Sequence, residues 1–186
     1  MGGVLNMPRV TLGGWEFRLL WNGRAMIEWT QREDGDQDIG MENPERVADM
    51  LHLMAREASA ACSVYGYDAD PVPDTDEMKK YLRYAASPWE LQSAIAGINA
   101  AIMYGTHRDY KPEESDMVDI DTIELKKKLS EMGAAPDDDT LSAASYIAVG
   151  VRCGLSIQET LQYPVGIITD LWEIYKQSHG IKDDEA

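Results

Sequence analysis

Hydrophobic and polar positions alternate along residues 9–19, and from residue 22 onward apolar residues recur mostly at three- and four-residue steps. Val10 and Leu12 alternate with Arg9 and Thr11, while Trp15, Phe17 and Leu19 alternate with Glu16 and Arg18. Gly13-Gly14 between the two runs has the length and the backbone freedom of a two-residue hairpin turn. That turn fixes the register, with Leu12 opposite Trp15 and Val10 opposite Phe17 on one side of the ribbon. An isolated hairpin is marginal in water, so its apolar face needs a cover, and only helices are on offer.

The helical period divides into segments by its caps. Asn22 caps a helix through about residue 33, with Ala25, Met26 and Trp29 on one face, and 34–42 breaks it. Pro44 suits a first helical position, and Val47, Met50, Leu51, Met54, Ala58, Ala61, Cys62 and Tyr65 form the clearest stripe, ended by Gly66. A loop over 68–76 precedes a shorter helix marked by Met78, Tyr81, Leu82 and Ala85. Ser87-Pro88-Trp89-Glu90 is a capping box opening a helix with the stripe Leu91, Ile95, Ile98 and Ile102, which Gly105 is expected to stop.

Residues 106–121 are polar and without period, the expected linker. Beyond it Leu125, Leu129 and Met132 mark a short amphipathic segment, and 133–139 is a loop. Leu141, Ala144, Ile147, Ala148 and Val151 make a small-residue helix ending at Gly154. Ser156 to Glu159 is a second capping box. Pro164 opens a last helix carrying Ile167, Ile168, Leu171, Trp172 and Tyr175, stopped by Gly180 and followed by an acidic tail. The expected fold is α+β and predominantly helical, with one N-terminal β-hairpin packed on helices and a small helical C-terminal part. Its expected divisions are a hairpin-plus-helices domain over 1–105, a linker over 106–121 and a helical extension over 122–186.

Composition then excludes several classes. Among 186 residues, 17 Lys and Arg face 33 Asp and Glu, a formal charge of -16. Such a chain is not held on nucleic acid or anionic membrane by electrostatics, so basic or apolar protein partners are expected. A hydrophobic content of 44% is too high for a disordered chain. No apolar run reaches the roughly 20 residues of a membrane span. The first residues lack the basic flank and apolar core of a signal peptide, and Asn6 stands where myristoylation wants Ser or Thr. Isolated Cys62 and Cys153 in helical contexts fit a reducing, cytoplasmic setting.

Candidate chemistry is sparse. Asp34, Asp36, Asp38 and Glu45 have the 1, 3, 5, 12 spacing of a calcium loop, but Ile39 occupies the sharp-turn position and Gly40 comes one residue late. A solvated acidic loop ahead of a helix N-terminus is the plainer reading. Asp137-Asp138-Asp139 reads as a helix cap rather than a metal cluster. His52, His107 and His179 share no ligand spacing, and neither cysteine has a Cys-x-x-Cys partner. Ser63, Ser142 and Ser145 sit in no nucleophile elbow, and Gly13-Gly14 is no phosphate loop. No enzyme, metal or cofactor is expected. Attention passes to surface: ten methionines suit a core or an adaptable contact, and Trp172 and Tyr175 have little local core to hide in.

The run VTLGGWEFRLLWNGRAMIEW from Val10 to Trp29 resembles the opening of the tail assembly chaperones of long-tailed bacteriophages: a small hairpin, then an aromatic-Asn-x-x-Ala-x-Ile-Glu helix. VADMLHLMAREA from Val47 to Ala58 is similar to that family's next helix, and the helix over 90–104 continues the likeness, which covers about 10–105. GLSIQETLQYPVGIITDLWEIY from Gly154 to Tyr175 is similar to the extension of the family's long forms, often made by ribosomal frameshifting. Lys126-Lys127-Lys128 is compatible with a slippery adenine run.

The resemblance implies a non-catalytic assembly factor of the host cytoplasm, without cofactor. It would bind the tape-measure protein and recruit tail-tube subunits, with Leu171, Trp172 and Tyr175 as its contact residues. Two alternatives stand beside it, an acidic DNA-mimic inhibitor and a calcium-responsive helical module. The first would need carboxylates in an ordered stripe, whereas here they cluster in loops and the tail.

Overall fold

A computed structural model describes residues 6–32, 39–109 and 142–181. The chain opens with strands β1, Arg9–Leu12, and β2, Trp15–Arg18, paired antiparallel in the register Leu12↔Trp15, Thr11↔Glu16, Val10↔Phe17 and Arg9↔Arg18. Gly13 and Gly14 take φ of 57° and 87°, the positive values that a two-residue turn matched to strand twist demands. Val10, Leu12 and Phe17 are buried on the covered face. The fold is α+β and mostly helical, as the hydrophobic pattern requires.

Helix α1, Gly23–Thr30, starts where Asn22 Oδ1 accepts the Ala25 amide at 2.9 Å. It stops short of residue 33, because the Gln31 and Arg32 amides turn back onto the Ile27 and Trp29 carbonyls. Helix α2, Pro44–Val64, is the central element, capped by Asn43 and burying Val47, Met50, Leu51, Met54, Ala58 and Cys62. Helix α3, Thr75–Tyr84, is capped by Asp74 and lies along α2. Helix α4, Pro88–Thr106, opens on the Ser87/Glu90 capping box and covers β1 and α2.

One core cluster joins the hairpin face to α1–α4. Val10, Leu12, Phe17, Leu19, Trp21 and Trp29 meet Val47, Met50, Leu51 and Met54 of α2, Met78 and Leu82 of α3, and Leu91, Ala94, Ile98 and Ala101 of α4. Met26, Met50 and Met54 thus serve as packing, two of them fully inside and Met26 partly buried. Gly105 departs from expectation. It does not end α4 but lies inside it, buried, where a Cβ would strike the Trp21 carbonyl oxygen. Its role is close approach rather than a helix stop.

From residue 142 onward come α5, Ala143–Arg152, α6, Ile157–Gln162, and α7, Val165–His179. Helix α5 turns inward with Tyr146 and Gly150, whereas Ala144, Ala148 and Val151 of its apolar repeat are exposed. Two long-range fits decide its rotation: the Tyr146 ring lies against Gly23 of α1, and Gly150 admits Thr160 of α6. These helices sit on the first ones. The Gly23 amide donates to the Tyr163 carbonyl at 3.3 Å, Asn22 bridges to Pro164, and Gly166 abuts the His107 carbonyl. Most of the linker, the segment of Leu125, Leu129 and Met132, Lys126-Lys127-Lys128, Asp137-Asp138-Asp139, Leu141 and the end of the tail lie outside the described residues. No described helix is long and apolar enough to cross a membrane.

Candidate functional site

The face of α7 singled out by the sequence is set by what the other sides of the helix do. Gly166 packs on the backbone at 106–107, and Asp170 accepts from Arg108 Nε at 2.9 Å and from the Asp109 amide at 2.8 Å. Ile168 and Lys176 are buried, and Lys176 Nζ lies 2.9 Å from Glu173 Oε1. Turned outward are Ile167 at 38% exposure and Ile174 at 46%, with Leu171 partly buried between them. Their spacing, i, i+4, i+7, makes one apolar stripe along the helix.

Trp172 and Tyr175 flank that stripe. Their rings stack at 5.6 Å with 11° between planes, and Tyr175 stacks on His179 at 4.0 Å. His179 is fixed by Nδ1 contacts to the Tyr175 carbonyl at 2.9 Å and the Ser178 hydroxyl at 3.0 Å. Each aromatic thus covers part of its neighbour's face instead of burying itself in the core, and both Trp172 and Tyr175 stay only partly buried. Leu171, Trp172 and Tyr175 therefore lie on adjoining sides of one helix. Ile174 was missed in the sequence, although its step of seven from Ile167 is the signal that would have found it.

The other candidates are spoken for within the fold. Ile39 packs against the main core, and Glu45 pairs with Arg83 of α3; Asp34, Asp36 and Asp38 lie outside the described residues. His52 Nδ1 lies 3.0 Å from the Pro73 carbonyl, and His107 pairs with Asp109 at the surface. Cys62 is fully buried with Arg18 Nη1 at 2.7 Å from its sulfur, while Cys153 is partly buried and burial pushes its thiol pKa up. Among the described residues no group of three or more His, Cys, Asp or Glu is arranged to hold a metal.

Two partly buried polar networks brace the junction that leads from the hairpin into the helices. Asp70 Oδ2 accepts the Arg18 amide at 2.9 Å and lies 3.2 Å from its Nε, pinning the loop after α2 across the end of β2. Asn22 Nδ2 donates to Glu57 Oε2 at 3.1 Å, and Arg56 links Glu57 to Glu28 of α1. Asn22 therefore caps α1, ties it to α2 and meets Pro164 near the start of α7. Comparison with family models, with curated proteins and with solved structures gives no match.

Proposed function

We propose that this chain is a non-catalytic tail assembly chaperone of a long-tailed bacteriophage, acting in the host cytoplasm on the tape-measure protein and tail-tube subunits. The observation that carries the reading is the outward side of α7, where Ile167, Leu171 and Ile174 lie beside the Trp172–Tyr175 stack. Large apolar groups in one row on the outside of a small helix are the makings of a protein contact. Support also comes from the opening segment, whose hairpin, Asn22 cap and α1 are tied together onto α2 in the order the family resemblance implies.

The test is co-expression with the tape-measure and tail-tube proteins of the same virus, with and without Trp172→Ala. The wild-type chain should co-purify with the tape-measure protein. The substitution should lower tube-subunit recruitment by about tenfold or more, as loss of an interface tryptophan does, while the melting temperature stays near wild type. Absence of both partners from the wild-type complex sinks the reading. A strongly destabilised Trp172→Ala, or one that recruits normally, removes α7 from it.

A further inference from the structure

Three sides of α7 are committed within the chain: Gly166 and Asp170 to residues 106–109, Ile168 to the interior and Lys176 to Glu173. The fourth carries the row Ile167, Leu171, Ile174, followed by exposed Ser178. A row of aliphatics at i, i+4, i+7 offers ridges and grooves of helical pitch, which another helix fills better than an extended strand does. Among the exposed positions of α7, which are Ile167, Ile174, Gln177, Ser178 and His179, none is a lysine or an arginine.

Charge selects among helices that could lie there. With 33 acids against 17 bases the chain carries -16, so a second copy or an acidic partner approaches against repulsion and a cationic one is drawn in. The Trp172–Tyr175–His179 ladder beside the row adds ring surfaces to which lysine or arginine side chains are attracted. We infer that the outward row of α7 receives a basic amphipathic helix of a partner protein. Its apolar face lies on Ile167, Leu171 and Ile174, and its cationic flank lies toward the aromatic ladder. This rests on α7 being a partner surface, and it adds the chemistry of what is bound.

The experiment uses the full chain and a fluorescently labelled leucine–lysine peptide of helical period, beside a leucine–glutamate peptide of the same pattern and a scrambled leucine–lysine peptide. The patterned cationic peptide should bind, more weakly as salt rises from about 50 mM to about 500 mM, and the other two should bind at least about tenfold less tightly. Ile174→Asp and Ile167→Asp, both at exposed positions, should keep the wild-type melting temperature yet each weaken the peptide about tenfold or more. Each adds a negative charge, so a contact made by charge alone would tighten instead.

Equal binding of the scrambled or acidic peptide, or no effect of either substitution, overturns the inference. So does a wild-type dimer in light scattering that Ile174→Asp converts to monomer, because the row then belongs to a second copy. Loss of tape-measure and tube association with peptide binding intact defeats the assembly reading alone. Failure of the peptide while those partners still associate defeats this inference alone.

Discussion

Glu90 closes the capping box of α4 and also reaches the hairpin turn. Its carboxylate accepts the Tyr81 hydroxyl at 2.6 Å and the Ser87 amide and hydroxyl at 2.9 Å each. The Tyr81 ring in turn backs Gly13 and meets Trp15 edge-on at 5.7 Å. These bonds, the one from Tyr81 first, hold the Glu90 pKa at about 2. Because the folded value is depressed, the stabilisation is present in full above the unfolded glutamate pKa of about 4.3 and is lost as pH falls from there toward about 2. Tyr81→Phe should therefore lower the melting temperature at pH 7 and flatten its decline on acidification. Thermal melts across pH 2–7 decide this, and parallel wild-type and mutant curves would refute it.

Elements differ in how far the sequence alone specifies them, and the difference follows the range of the forces involved. The hairpin register, the Asn22, Asn43 and Asp74 caps and both capping boxes are local: each is made by residues within a few positions of one another. The face of α5 and the role of Gly105 are not. Tyr146 turns inward because Gly23 leaves room for its ring, and Gly105 is small because the Trp21 carbonyl lies against it. Apolar periodicity contains neither neighbour, so the repeat through Ala144 and Ala148 does not mark Tyr146 as the buried residue. The α7 row was half legible. Trp172 and Tyr175 stood out by size, and the step of seven from Ile167 to Ile174 is present in the sequence, whereas the outward turn of the row needed the rotation of the helix that Asp170 and Gly166 set.

The hairpin provides the test at this scale. Val10, Leu12 and Phe17 are buried because a two-residue turn holds their register, and a one-residue slip would turn one strand's set to solvent. Inserting an alanine between Gly13 and Gly14 should cost about 1–3 kcal/mol, seen as a melting temperature lower by about 2–10 °C. An unchanged melting temperature would mean that the turn does not set the register.

For the whole molecule the question is whether α5–α7 unfold with the rest or by themselves. Their seat on α1 and α4 relies on small residues and backbone groups: Gly23 under Tyr146, the Gly23 amide on the Tyr163 carbonyl, Gly166 on His107, and Asp170 on Arg108 and Asp109. Val165 alone of α7 packs against the main core cluster. A seam whose large buried side chains are Tyr146 and Ile168, and which joins the main cluster through Val165, should open before α2 does. Gly166→Ala tests it, because the added methyl would meet the His107 carbonyl and backbone carbon, and backbone gives way less readily than a flexible side chain. Overpacking of this kind costs about 1–3 kcal/mol. Amide exchange in α6 and α7 should rise by about tenfold or more, as about 1.4 kcal/mol implies for a local opening, while α2 keeps its wild-type protection. Equal loss in α2 would make the chain one cooperative unit. Unchanged protection in α7 would mean that the Gly166 contact does not hold the C-terminal helices in place.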